Sequence, residues 1–413
     1  MLRLNPDRLM ADLEAFSALG GDGQGGVTRL AFTPIDQAAR RLFQDRLAAA
    51  GLAVRLDAMG NVFGRREGRE AGLPPLLLGS HLDSVPSGGR FDGPLGVLSA
   101  LEVVRMLEDA RTETRRPIEI ACFVAEESSR FGSGTLGSKA VVGRLTPEML
   151  EGIRDADGRS LSEVLRECGL SPDRLGEVRR RPGEYHAYLE LHLEQGAVLE
   201  HAAIPVGLVT GIAAPTRFRV TYTGRADHSG ATPMGLRRDA LVAGAELVLG
   251  VRRIVLAHGS PTSVGTVGVL RVLPGAMNVI PGQASLGIDL RDIDAEAKRR
   301  IAKKVLAAVR RIARKWKVDV SVESLADEAP VPLPERIRQI SRAACRACGV
   351  PFLELPSGAG HDAMYLAEIA ETGMIFVRCR EGISHNPAEF VDPQDAAAGA
   401  AVLAETALRL ADE

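Results

Sequence analysis

Two short apolar runs, each of strand length, flank one stretch of helix length, and both end in polar residues. PPLLLGSHLD covers 74–83, GVLSALEVVRMLEDA covers 96–110 and PIEIACFVAEE covers 117–127. A strand with one wet face alternates apolar and polar residues, whereas a run that is apolar throughout is buried on both faces. Strand–helix–strand order with such runs therefore predicts a largely parallel sheet covered by helices, an α/β fold. In that architecture ligands sit beyond the carboxyl ends of the strands. His81, Asp83, Glu126 and Glu127 all fall there.

Around this unit the pattern is regular. Asn5-Pro6 and Thr33-Pro34 read as an N-cap followed by Pro at the first helical position. After Thr33, Ile35, Ala38, Ala39, Leu42, Phe43 and Leu47 recur at helical spacing, and LAVRLDAMGNVFGR reads as a hairpin. Near residue 210 the texture changes. RFRVTYTG alternates like a half-exposed strand, and the order β-α-β-β-α-β that follows is that of a ferredoxin-like α+β unit. From about 330 the earlier alternation resumes. The expectation is a first domain of residues 1–209 and 328–413 with a second, 210–327, inserted into it. The basic helix of the insert, DAEAKRRIAKKVLAAVRRIARKW, is expected to present a solvated charged face.

At 413 residues the chain exceeds one typical core, which agrees with two domains. Lys plus Arg number 51 against 53 for Asp plus Glu, so no excess of positive charge points to nucleic acid or to an anionic membrane. No stretch approaches the ~18 uncharged apolar residues of a membrane span. The N-terminus, MLRLNPDRLMADLEAF, reads as a surface helix and not as a signal peptide. Five cysteines (Cys122, Cys168, Cys345, Cys348, Cys379) are too few for a disulfide framework and fit a reducing cytoplasm. Cys345 and Cys348 are spaced C-x-x-C, but no second pair or nearby His completes a metal site, so packing is the better reading.

The densest polar segment runs from His81 through Asp83 and Asp92 to Gly93. Imidazole binds zinc well, and a carboxylate can bridge two ions. Asp83 is placed to accept a hydrogen bond from the far ring nitrogen of His81. Glu126-Glu127 are adjacent carboxylates at an apolar strand end, where one can meet a metal and the other act as a general base. Alternation puts Glu190, His192 and Glu194 on one face of a strand. His385 lies in a polar loop after GMIFVRC, and His361 opens a helix in a Gly-rich turn, where it can cap the helix or touch a ligand. GSGTLGSK at 132–139 has the wrong order for a phosphate loop, since Ser138 precedes Lys139.

Taken in order, GSHLDSVPSGGRFDGPLGV, AEESSRFGSGTLGSKA, HLEQG, GRADHSGATPM, NVIPG, DLRD and GISHNPAE resemble the M20 family of dinuclear metallohydrolases, in its hydantoinase/carbamoylase branch. The resemblance implies a zinc-exopeptidase-like catalytic domain and makes the insert a lid and dimerisation domain. It implies two divalent ions per subunit (Zn, or Mn, Co or Ni). His81 and His192 would hold one, Glu127 and His385 the other, and Asp92 would bridge them. Glu126 would be the general base, Asp83 would orient His81, and His228 would reach the reacting group from the lid, usually that of the partner subunit. Gln195, Asn278, Arg291 and His361 would be substrate contacts. His192 in HLEQG is similar to the branch that cleaves ureido groups, whereas many peptidase members carry a carboxylate there. The implied activity is hydrolysis of N-carbamoyl-L-amino acids to amino acid, carbon dioxide and ammonia in a cytoplasmic homodimer. Allantoate amidohydrolase and β-ureidopropionase are the near alternatives, and an aminoacylase or dipeptidase of the family is a more remote one.

Overall fold

The computed structural model describes residues 4–70 and 72–413. The chain divides into two compact units. One comprises Met1–Thr210, Leu333–Leu355 and His361–Glu413; the other comprises Gly211–Pro332 and Pro356–Gly360. The first crossing falls one residue later than the sequence boundary, after Thr210, and the division differs in two further ways. The return crossing lies after Pro332 because Val331 and Pro332 still pair with Ile212 and Gly211. The loop Pro356–Gly360 joins the second unit because Ala213 N–H donates to Ser357 O and Arg291 Nη1 donates to Gly358 O.

The first unit is built on a mixed sheet. Its strands run in the spatial order Ala53–Leu56, Val62–Arg66, Ile118–Phe123, Leu76–His81, Ala187–Leu193, Glu371–Val377 and Val206–Ile212. The four central strands are parallel, and the outer ones pair antiparallel. Leu76–His81, Ile118–Phe123 and Ala187–Leu193 are buried at every position, as strands covered on both faces are. The register Leu76↔Ala187, Leu77↔Tyr188, Leu78↔Leu189, carried three residues further, sets His81 level with His192.

The helix Pro94–Asp109 fixes the strand ends from one side. It is buried over thirteen positions and packs on the Leu76–His81 and Ala187–Leu193 strands and on the Pro393–Ala411 and Pro6–Ser17 helices. A β-carbon at Gly96 would lie 2.2 Å from Leu191 O, so only glycine lets this helix approach the sheet so closely. The Asn5 and Thr33 caps accept from Arg8 N–H and Asp36 N–H. The expected hairpin pairs Ala53–Leu56 with Val62–Arg66.

The second unit has a four-stranded antiparallel sheet in the order Asp319–Asp327, Ala214–Thr223, Gln283–Asp292, Val264–Leu273. Helices Ala240–His258 and Ala295–Trp316 pack on one face of it, around Val220, Tyr222, Leu286, Leu290, Ile301 and Val305. With the connectivity β-α-β-β-α-β this is a ferredoxin-like unit. Arg299, Lys303, Lys304, Arg310 and Arg311 form the exposed side of the basic helix, as its pattern predicts. All five cysteines are free thiols, and Cys345 is buried on the helix Glu335–Cys348. Among the described residues no helix is long and apolar enough to cross a membrane.

Candidate metal centre

His81 ends one central strand and His192 lies near the end of its neighbour, and both are buried. Each ring has its Nδ1 against a main-chain carbonyl: His81 at 3.0 Å from Asp83 O, His192 at 2.9 Å from Leu193 O. Those carbonyls are acceptors, so each Nδ1 carries the proton and each Nε2 offers a lone pair. The two rings stand 5.9 Å apart.

Asp92 fills the space they face. Its Oδ1 lies 3.0 Å from His192 Nε2 and 3.6 Å from His81 Nε2. Its Oδ2 lies 3.2 Å from His385 Nε2, which is itself 3.2 Å from Glu127 Oε1. Two groups of potential metal ligands result, His81–Asp92–His192 and Asp92–Glu127–His385, and they share one carboxylate. A third group, Glu190–His192–His361, overlaps the first at His192.

Left-handed backbone shapes this site. Gly93 has φ +83, and a β-carbon there would lie 2.5 Å from the His81 ring, so the turn that returns Asp92 to the strand end requires glycine. Ala125, Gln195 and His385 also have positive φ, at 50, 58 and 54. Side chains seldom adopt this region, and such strain gathers at sites the surrounding structure over-determines.

Glu126 Oε2 is 3.9 Å from His81 Nε2. Burial pushes the Glu126 carboxyl well above the usual carboxylate range, against the pull of His81, and Asp362 and Glu127 add repulsion. The backbone that carries Glu126 is held by the segment that mimics a phosphate loop. Thr135, Leu136 and Gly137 N–H donate to the carbonyls of Glu126, Ala125 and Val124.

Asp83 meets His81 as expected, but by its main chain. Its carboxylate is 3.8 Å from His81 Nδ1, and the hydrogen bond to that nitrogen is made by its carbonyl instead. The carboxylate accepts the N–H groups of Glu126 and Glu127 at 3.2 and 3.0 Å. Those two amides cross the strand end and claim the acceptor before the imidazole can. Asp83 therefore positions His81 through its main chain and the two acids through its side chain.

Gln195 Nε2 donates to Asp92 Oδ2 at 2.8 Å, so its amide rests on the shared carboxylate. His361 packs edge-on against His192, with centroids 4.5 Å apart, and against Phe376. Burial holds His361 well below the usual histidine range, and Asp362, not His361, occupies the N-cap of the short helix Ala363–Leu366. Behind it, Glu190 accepts from Ser80, Tyr188 and Ala363 N–H. Burial beside Glu190 pushes the Asp362 carboxyl up to about 8.

His228, Asn278 and Arg291 belong to the second unit. His228 pairs with Val279, and Ser229 N–H donates to Asn278 O at 3.0 Å, so His228 and Asn278 share one ribbon. His228 Nδ1 accepts from Gly230 and Ala231 N–H at 3.1 and 3.2 Å, which leaves the ring proton on Nε2. Arg291 lies on the sheet. Its Nε and Nη2 grip Asp289, and its Nη1 donates to Gly358 O at 2.7 Å.

Sequence reasoning gave no role to Ser384 or Glu389, although both lie in GISHNPAE. Glu389 is buried, accepts the N–H groups of Phe91 and Asp92 at 2.9 and 3.1 Å, and meets the Ser384 hydroxyl at 2.8 Å. Burial pushes its carboxyl up to about 7, and Asp92 pushes it the same way. The one sequence signal was an acid four residues after His385.

The donor set fits divalent cations. Three Nε2 atoms, two of them on rings whose Nδ1 faces a carbonyl, converge on carboxylates at the strand ends, and hard or borderline ions accept such N/O sets. The profile of peptidase family M20/M25/M40 matches residues 77–409. The chain is 45% identical over 405 residues to N-carbamoyl-L-amino acid amidohydrolase of Geobacillus stearothermophilus, with 98% of each chain covered. It is 38% identical to ureidoglycolate hydrolase of Arabidopsis thaliana, over 99% of this chain and 87% of that one. A hydantoinase/carbamoylase family amidase from Burkholderia multivorans has a similar crystal structure, at TM-score 0.95 and 39% identity, over 100% of this chain and 99% of that one.

Proposed function

We propose, from the premise that this chain belongs to peptidase family M20/M25/M40, that it hydrolyses the ureido C–N bond of N-carbamoyl-L-amino acids. The observation that carries this reading is the Asp92 carboxylate shared by two ligand groups, one of them completed by His192. A histidine at that position marks the amidase branch the sequence resembles. His81, His192 and Asp92 would hold one divalent ion; Glu127, His385 and Asp92 would hold a second. Zn, Mn, Co and Ni all suit these donors.

Divalent ions at such a site supply charge that polarises a carbonyl and acidifies water. Glu126 takes the proton of the water as it adds to the ureido carbon, and passes it to the leaving nitrogen as the C–N bond breaks. The elevated basicity that burial gives Glu126 suits both halves of that task. The Nε2–H of His228 is a donor for the oxygen that gains charge, and Asn278 and Gln195 are polar contacts for the ureido group. Arg291, whose Nε and Nη2 hold Asp289, would exchange that carboxylate for the free carboxylate of a substrate, which its planar fork suits. The amino acid leaves, and the carbamic acid decomposes to carbon dioxide and ammonia.

We take the second unit to be the lid and the dimer contact. Val242, Leu249 and Leu256 stand exposed at seven-residue spacing on the helix Ala240–His258. The outermost strand of that sheet exposes Leu270 and Leu273 as well. An apolar stripe beside an open strand edge fits a second copy of the same unit. The free thiols support the reading of a reducing, cytoplasmic compartment.

The test is ammonia release by metal-reconstituted protein from N-carbamoyl-L- and D-amino acids, N-carbamoyl-β-alanine and allantoate. Chelator-sensitive turnover of the L-carbamoyl compounds is expected. Turnover of allantoate or carbamoyl-β-alanine alone would keep the chemistry and move the substrate. Release of the amino acid from N-acetyl compounds or dipeptides, without ureido turnover, would return the chain to the aminoacylase reading.

A further inference from the structure

Two candidate ligands, Asp92 and His385, stand on loops almost 300 residues apart in sequence, and among the described residues no regular element joins those loops. Glu389 and Ser384 join them instead. Glu389 Oε1 accepts Phe91 N–H and Asp92 N–H, at 2.9 and 3.1 Å, and so grips the backbone that carries the shared carboxylate. Glu389 Oε2 lies 2.8 Å from Ser384 Oγ, and Ser384 Oγ lies 2.8 Å from Asp92 Oδ2. Ser384 immediately precedes His385, whose backbone is left-handed at φ 54. A strained residue keeps its conformation only where its neighbours fix it. Glu389 is itself fixed by the turn in which its N–H donates to Asn386 O at 3.0 Å.

The space for this carboxyl is reserved by sequence. A β-carbon at Gly89 would lie 1.9 Å from Glu389 Cδ, and the φ of Gly89 is one that any residue can adopt. Glycine is needed there for the acid and not for the turn.

We propose that Glu389 and Ser384 are positioning residues that set the spacing between the Asp92 carboxylate and the His385 imidazole, and thereby the affinity of the His385-side metal position. The proposal rests on reading Asp92 and His385 as ligands. A residue that merely satisfied the buried N–H groups of Phe91 and Asp92 would affect fold stability alone. Ser384→Ala separates the two cases, because it leaves both N–H groups their acceptor.

The experiment is titration of metal-free protein with Zn²⁺ against a chromophoric chelator, with thermal midpoints recorded alongside. The parent should take up two ions per chain. Ser384→Ala and Glu389→Ala should lower affinity at one of the two positions by about 10–100-fold, the range seen when a partner behind a metal ligand is lost. Ser384→Ala should do so with an unchanged thermal midpoint. Gly89→Ala should reproduce Glu389→Ala without removing the acid. Glu389→Gln should restore most of the affinity, since an amide oxygen still accepts both N–H groups. If the parent binds two ions and Ser384→Ala and Glu389→Ala bind both within about twofold of it, the clamp is overturned while the dinuclear reading stands. If the parent itself binds no ion, the dinuclear reading falls and takes the clamp with it.

Discussion

Glu126 and Glu127 are chemically alike and adjacent, yet they face different partners. Glu127 meets His385 at 3.2 Å, whereas Glu126 meets only the edge of the His81 ring at 3.9 Å. On that difference rests the proposal of ligation for Glu127 and proton transfer for Glu126. Glu126→Gln should keep its metal content and lose about 10²–10⁴-fold in kcat, measured by steady-state turnover beside elemental analysis. Unchanged turnover with metal bound would remove Glu126 from the reaction. Asp362 offers a test on stability. Its folded-state carboxyl is raised to about 8 from 3.8, so the fold holds a proton that the unfolded chain releases. Stability of the metal-free protein should then fall as pH rises from about 4 to about 8. Asp362→Asn should flatten that decline in a series of thermal midpoints, and an unaltered slope would show that the proton lies elsewhere. The ligand types were legible because His and carboxylates at strand ends have few uses. The role of Asp83 was not, because a sequence does not say whether a side chain or its carbonyl will reach a ring.

At the scale of the element, the turn 88–93 and the helix after it form one device. Pro94 starts the helix, Gly93 supplies the left-handed turn, and Gly96 lets the helix lie against Leu191. Gly93→Ala should cost about 1–3 kcal/mol in backbone strain and also displace the His81 ring. Urea unfolding with metal analysis checks both, and a variant with parental stability and metal content would refute the close approach. Arg291 also works at this scale. It ties a strand to the loop Pro356–Gly360 through Gly358 O, while its Nε and Nη2 hold Asp289. Arg291→Ala should raise KM for carboxylate substrates and speed proteolysis near Gly358; an unchanged KM would take Arg291 out of the site. Helix and strand positions were readable here because period and capping residues are local. The joining of residues 356–360 to the second unit was not, because it rests on partners at 213 and 291.

At the scale of the whole molecule, two compact units share one chain, and the second exposes the apolar stripe proposed above as a dimer contact. Leu249 and Leu256 are 62% and 70% exposed on a helix whose other face is core. Leu249→Lys with Leu256→Lys should convert a dimer to a monomer in light scattering, with helix content intact by circular dichroism. If His228 serves the partner's site, that monomer should also lose turnover while it binds metal as the parent does. A parental dimer with these lysines in place would locate the contact elsewhere.

The sequence by itself determined the strands, the helices, the inserted unit and the chemical types at the strand ends, because each is written in short-range pattern or in residue type. Only the tertiary structure decided which groups meet. Asp92 reaches His192 and His385 across 100 and 293 residues of chain, and Glu389 reaches Asp92 across 297. Such meetings depend on strand order and register, on the turn that glycine permits at 93, and on buried amides that compete for the same carboxylates. Those are properties of the assembled packing, in which each donor goes to the nearest acceptor the fold brings it.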